Sequence, residues 1–104
     1  MGFWDRVMGR PTSTAYTEVA ARLTAPDGGV VVFWRPGCTF CQRLALALRT
    51  VSTKATWVDI WSDDDARAYV RSVNGGDETV PTVVIDGEAH TNPAPALVRR
   101  ALTA

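Results

Sequence analysis

Apolar residues recur along this chain in helical and extended rhythms that alternate, and the alternation predicts the elements. Residues 1–12 show no period and close on Gly9-Arg10-Pro11, which reads as a loose arm. From Ser13 or Thr14, each a capping candidate, the stretch Ala15 to Leu23 puts Tyr16, Val19, Ala20 and Leu23 on one helical face. Pro26-Asp27-Gly28-Gly29 stops it. Val30-Val31-Val32-Phe33-Trp34 is an unbroken β-branched and aromatic run, the mark of a strand buried on both faces. After Arg35-Pro36-Gly37, a helix is predicted from Cys38 to about Ser52, with Phe40, Leu44, Leu48 and Val51 inward. Thr56 to Trp61 reads as a second strand, with Trp57 and Trp61 on one face. Ser62 is the expected cap of a third helix whose buried stripe is Ala66, Tyr69, Val70 and Val73, ended by Asn74-Gly75-Gly76. Thr82 to Ile85, the turn Asp86-Gly87 and Glu88 to Thr91 form a hairpin. Asn92 is the expected cap of a last helix, with Pro93 at its first position and Ala94, Leu97, Val98 and Ala101 inward.

The order is helix, β-α-β, helix, hairpin, helix. A β-α-β unit requires a parallel pair with a right-handed crossover, and the hairpin adds two strands antiparallel to each other. The prediction is an α/β thioredoxin fold: a four-stranded mixed sheet, helices on both faces, and an extra N-terminal helix. Residues 1–104 are read as a single domain.

Composition narrows the function. Eleven basic residues balance eleven acidic ones, so no surplus points to nucleic acid. No segment has the roughly 18 apolar residues of a membrane span, and Asp5 and Arg6 interrupt any signal-like start. A cytoplasmic monomer is expected. The chain has two cysteines, Cys38 and Cys41, and one histidine, His90, too few ligands for a tetrahedral metal site in one chain. No metal and no bound cofactor are expected.

Cys38-Thr39-Phe40-Cys41 lies where the first strand hands over to a helix. A helix start offers unpaired N–H groups and a positive dipole end, both favouring a thiolate. Cys38 is therefore the expected nucleophile and Cys41, one turn inward and more buried, the resolving thiol. Arg35 is expected to add positive charge nearby. A Cys-x-x-Cys at a strand-to-helix junction inside a β-α-β unit is a redox signature. Val80-Pro81 has two readings: a plain strand-edge proline, or a cis bond that leaves the Val80 backbone free to pair with an incoming chain beside the cysteines.

Beyond these residue-level readings, Ser72 to Val83 with its Thr79-Val80-Pro81, Thr91-Asn92-Pro93, and Cys38-Thr39-Phe40-Cys41-Gln42-Arg43-Leu44 resemble the corresponding segments of the actinobacterial mycoredoxins, which are glutaredoxin-like proteins. The likeness runs from about Val30 to the end. It implies that Cys38 attacks the mixed disulfide between a protein and mycothiol, that Thr79, Val80 and Pro81 help hold the thiol, and that Thr39, Phe40, Thr91 and Asn92 belong to the same substrate region. It also implies mycothiol as co-substrate and oxidised client proteins as partners. The chain departs from that family in Phe33-Trp34-Arg35-Pro36-Gly37, which is closer to a thioredoxin lead-in, while Val32 stands where thioredoxins carry a buried aspartate. The glutathione site of glutaredoxins is replaced by His90-Thr91-Asn92-Pro93. Two alternatives stay open: a thioredoxin-like dithiol donor, and an iron–sulfur carrier that joins two chains through Cys38. A redox-dead binding module sits badly with a reactive cysteine pair.

The remaining features read plainly. His90 is a strand-end residue, and Asp63-Asp64-Asp65 is helix-start chemistry. Trp34 is placed to border the active site. Phe3 and Trp4 either cap the core or meet a partner.

Overall fold

The structure is a computed structural model that describes residues 13–103; the expected arm, with Phe3 and Trp4, lies outside them. The central strand β1 (Val30–Trp34) is buried at every position, as its unbroken apolar run requires. β2 (Thr56–Asp59) pairs with it in parallel, and β3 (Thr82–Ile85) lies antiparallel on its other side. β4 (Glu88–Thr91) closes the sheet, giving the order β2-β1-β3-β4. The β3–β4 turn is Asp86-Gly87 with φ of 48° and 85°, the doubly positive geometry that matches strand twist. A Cβ on Gly87 would also meet the Ala25 carbonyl at 2.9 Å.

Helices cover both faces. α1 (Tyr16–Val19), with the 3-10 turn Ala20–Thr24 that follows, packs beside α3 (Asp64–Val73). Tyr16, Phe33 and Tyr69 meet in that layer with ring centroids 5.0–6.4 Å apart, a spacing at which tilted rings attract. α2 (Thr39–Ala47) and α4 (Pro95–Thr103) pack together on the opposite face. Leu44, Ala45, Leu48, Val98 and Leu102 fill the space beneath them.

Several boundaries differ from those the pattern predicts. The first helix is a single α-turn continued as 3-10, and neither Ser13 nor Thr14 caps it. Both are drawn to the sheet edge: the Asp59 N–H donates to Ser13 Oγ at 2.7 Å, and the Thr14 N–H to the Trp57 carbonyl at 3.0 Å. The second helix ends at Ala47 rather than near Ser52, where Thr50-Val51-Ser52-Thr53 offers poor helix formers. Its inward positions are Cys41, Leu44, Ala45 and Leu48, and Phe40 is 50% exposed. β2 stops at Asp59 because the Asp59 carboxylate accepts the Trp61 N–H at 2.8 Å and bends the chain. Trp57 and Trp61 therefore do not share a face: Trp57 is buried, with its indole N–H on the Ser52 carbonyl, and Trp61 is exposed.

Asp63, not Ser62, caps α3, and Val73 at its end is exposed. α4 begins at Pro95, so Asn92 is not its cap, nor Pro93 its first residue. Asn92 takes a left-handed φ of 45° and sends its N–H to the Pro81 carbonyl at 2.7 Å. Ala94 and Leu97 face outward as a result, and Val98 and Leu102 are the inward pair.

Asp63 joins two elements. One carboxylate oxygen accepts from the N–H groups of Asp65 and Ala66, each at 3.2 Å, and the other accepts the Tyr16 N–H at 2.8 Å. It caps α3 and ties α1 to it. Asp63→Ala removes a cap and an inter-helix bond together, so urea denaturation is expected to show a loss of about 2–3 kcal/mol. Asp63→Asn should recover roughly half of that loss, since its one remaining oxygen can serve one of the two roles.

Candidate active site

The end of β1 delivers Cys38 to the first turn of α2. Cys38 is the N-cap residue, extended at φ −93° and ψ 114°. Its sulfur accepts the Cys41 N–H at 3.2 Å, in the place usually taken by a capping oxygen. On the other side the Cys38 thiol faces the Val80 carbonyl at 3.6 Å and donates to it. The sulfur thus has a donor suited to an anion and an acceptor suited to a thiol. Cys38 and Cys41 are free cysteines, exposed by 5% and 1%. Burial pushes the Cys41 thiol well above its ordinary value of 9.0, and its hydrogen bond with the Cys38 side chain adds to the rise. The Arg35 backbone bond and charge pull the other way with smaller effect. Cys41 is held as a thiol beneath Cys38.

The Val80–Pro81 bond is cis, the second of the two readings of that dipeptide. Val80 and Pro81 are buried and Thr79 is half-buried. Asn74, read from sequence as a helix stop, ties this loop down. Its amide donates to the Val70 carbonyl at 2.9 Å and to Thr82 Oγ1 at 3.0 Å, and its carbonyl oxygen accepts from Thr91 Oγ1 at 2.5 Å. Thr82, fully buried, donates a hydrogen bond from its own hydroxyl to the Thr79 carbonyl at 2.7 Å. One amide therefore bonds the end of α3, the start of β3 and the end of β4. Glu78, paired with Arg71 and lying 3.8 Å from Arg67 Nε, anchors the loop's approach.

Cys38, Cys41 and Val80 come together directly. Thr91 reaches the loop through Asn74, and Asn92 through its N–H on Pro81. Thr39 is the exposed first residue of α2. Phe40 and Arg43 face Asn92, Pro93, Ala94 and Pro95 across a groove of about 120 Å³, with Leu44 at its base. The Arg43 guanidinium lies 5.6 Å from the Phe40 ring centre. Arg35 brings positive charge to the cysteine pair, and its effect falls on Cys41; its guanidinium sits 5.4 Å from the centre of the Trp61 ring. His90 lies 3.4 Å from Glu88 and lines a hollow with Ile85, Leu97, Arg100 and Ala101, separate from the groove beside Phe40. Sequence reasoning missed Asn74, Arg43 and the Trp61–Arg35 stack as parts of the site. An asparagine before two glycines carries no signal beyond helix termination, so its contacts emerge only in three dimensions.

A four-stranded mixed sheet with a Cys-x-x-Cys at the β1–α2 junction and a cis-proline loop opposite defines the thioredoxin-fold class of redox proteins. A solved thioredoxin from Malassezia sympodialis aligns with a TM-score of 0.56 over 90% of each chain at 19% identity, a likeness of fold. The family model described as Glutaredoxin matches residues 30–90. A protein of Mycobacterium tuberculosis named as a glutaredoxin, found in strains CDC 1551 and H37Rv, is 39% identical over 66 residues, covering 62% of this chain and 79% of its own. The chain belongs to the glutaredoxin family. No helix among the described residues is long and apolar enough to cross a membrane.

Two outcomes follow from this geometry. Cys41 stays protonated in the folded protein at a pH where an unfolded cysteine ionises, so unfolding releases a proton above that point. The contribution of Cys41 to the stability of the reduced protein is expected to be complete below pH 9.0 and to be lost progressively as the pH rises further. Cys41→Ala should blunt that fall in pH-dependent urea midpoints, leaving the smaller share of Tyr69, whose hydroxyl is likewise raised by burial. Asn74→Ala, which removes the donor to the buried Thr82 oxygen and the bonds to Val70 and Thr91 while Thr82 keeps its bond to Thr79, is expected to cost about 2 kcal/mol by the same measurement.

Proposed function

We propose that this protein reduces mixed disulfides between proteins and a low-molecular-weight thiol, with mycothiol as the thiol and Cys38 as the attacking sulfur. The observation that carries the reading is the position of Cys38 Sγ, which has the Cys41 N–H on one side and the Val80 carbonyl on the other. The Cys38 thiolate attacks the small thiol's sulfur. The bond to the client sulfur breaks, and the client leaves as a thiolate that takes up a proton. A second small thiol then attacks the mixed disulfide on Cys38, releasing Cys38 as a thiolate and the two small thiols as their disulfide. The Val80 backbone is suited to pair with the incoming thiol as a strand would. The groove between Phe40 and Asn92 gives the body of that thiol a place to lie, an aromatic face on one side and polar groups on the other. Thr39, Thr79, Pro81 and Thr91 border or brace this path. The resemblance to mycoredoxins and the absence of the double-glycine glutathione segment favour mycothiol over glutathione. The protein works in the cytoplasm as a monomer in this reading.

A thioredoxin-like dithiol role is the second reading, favoured by the Cys41 thiol lying one turn from Cys38. The first reading needs Cys38 alone, because a free small thiol regenerates it. A protein–protein disulfide instead needs the tethered attack of Cys41, since an intramolecular thiol acts at high effective concentration. Val32, a buried apolar residue of β1, gives Cys41 no carboxylate of its own in place of the buried aspartate of thioredoxins. Cys41→Ser is therefore expected to keep more than roughly half of the activity on a mycothiol–protein mixed disulfide while losing about a hundredfold or more on a protein disulfide. Rates of both reactions on both proteins check this. Equal loss of the two activities would put the dithiol reading ahead.

A further inference from the structure

The net charge is zero, yet the fold separates the charges. From Gly28 to Ala55 the chain carries Arg35, Arg43, Arg49 and Lys54 and no carboxylate; from Asn92 to Thr103 it carries Arg99 and Arg100 and again none. These two segments supply α2 and α4, the layer on one face of the sheet. The opposite layer holds Glu18 on α1 and Asp63, Asp64 and Asp65 at the start of α3, with Asp77 and Glu78 just past its end. The two arginines of α3 are compensated, Arg67 by Asp64 and Glu78, Arg71 by Glu78. Among the described residues, Arg43, Arg49, Lys54, Arg99 and Arg100 have no carboxylate in ion-pair reach, although Arg100 borders a hollow that Glu88 also lines; in the opposite layer Arg22 is likewise without an ion pair and bonds the Gly28 carbonyl and the Thr56 hydroxyl. Arg49 and Arg99 bond instead to carbonyls at the end of α2, those of Leu46 at 3.2 Å and Ala47 at 3.1 Å.

Apolar side chains stand exposed on the same layer: Phe40 by 50%, Leu46 by 54% and Leu97 by 38%. Arginine with exposed aromatic and aliphatic residues is the composition of a protein-binding surface. The surface is continuous with the active sulfur, since Cys38 caps α2 and Phe40 lies in its first turn. A client whose disulfide reaches Cys38 meets the first turn of α2 and the groove toward Asn92.

We propose that the α2–α4 face beside Cys38 docks an acidic segment of the client protein. The proposal rests on the mixed-disulfide reading above and names the class of client. Uncompensated cations attract a negatively charged surface, and the acidic layer behind the sheet turns such a partner toward the cysteine side. Nucleic acid is the weaker fit, because the sequence pI of about 6.5 is far from that of a nucleic-acid-binding domain. A membrane surface is the weaker fit too, because neither helix presents the broad apolar face that inserts among headgroups.

The test uses the pre-reduced full chain in single turnover with two peptides of equal length. Each bears one cysteine in a mixed disulfide with 2-mercaptoethanol, flanked by glutamates in one peptide and by lysines in the other. Bis(2-hydroxyethyl) disulfide is the uncharged control. The acidic peptide is expected to react about tenfold faster at low ionic strength, with the preference shrinking as salt is added. Arg49→Glu/Arg100→Glu should erase or invert the preference, with the control rate kept. Arg49→Gln/Arg100→Gln should give an intermediate result, and thermal melts of both variants establish that they fold. Equal rates for the two peptides, or a preference that survives the double reversal, would overturn the docking surface and leave the redox reading standing. Inactivity toward the control disulfide as well would overturn both. Phosphatidylserine vesicles or a DNA duplex inhibiting the reaction more strongly than free acidic peptide would overturn the client assignment. So would sedimentation showing a dimer that Arg49→Glu/Arg100→Glu dissociates.

Discussion

Everything at the active site depends on where β1 ends. β1 is paired on both edges and covered on both faces, so its five residues are fixed by burial from every direction. The chain must leave the sheet at Trp34, and it enters α2 three residues after Arg35, at the N-cap position. A sulfur placed there inherits an N–H that the helix cannot satisfy internally. The strand is rigid and the helix starts immediately, so the sulfur has little freedom to stray from that donor. Burial of the next turn makes the Cys41 thiol, inside the core cluster, costly to ionise.

The wall opposite Cys38 is assembled differently. The Val80 loop belongs to no helix or strand, and loops keep one conformation only where their polar groups are spoken for. Here the partners come from three elements. Thr82 fastens the loop internally, Asn74 fastens Thr82 to α3 and β4, and Asn92 closes on Pro81 from beyond β4. The Glu78 ion pairs are exposed and contribute little energy by themselves; the buried Thr82 hydroxyl matters more, because leaving it unpaired carries a desolvation cost. The site is thus a seam between a rigid junction and a braced loop, with a groove running away from it between α2 and the start of α4.

Charge is organised on a longer scale. Carboxylates crowd the helix start that needs them, at Asp63 to Asp65, and that start lies in the α1–α3 layer. α2 begins with a sulfur instead of a carboxylate and brings no acid with it. The two layers therefore differ in sign for a reason that begins with local helix chemistry and ends as a property of whole faces.

The sequence by itself determined the order of elements, the sheet they build, the central strand, the hairpin turn and the place of the cysteine pair. Each of these rests on local physics: periodicity, β-branching, a two-residue turn with positive φ, a helix start after a proline-glycine break. It also located Val80-Pro81, although spacing alone left two readings. Tertiary structure decided what depends on distant partners. Ser13 and Thr14 look like caps but serve the β2 edge, and Asp63 caps in place of Ser62 because its second oxygen also reaches Tyr16. Asn92 looks like a cap but folds back onto Pro81. Phe40 fits a buried helical stripe yet stands exposed beside the groove, because α2 turns Cys41, Leu44 and Ala45 inward instead. Asn74 carried only the signal of a helix end, since the three groups it joins lie up to 17 positions away and no local pattern records a hydrogen bond that the fold alone brings within reach.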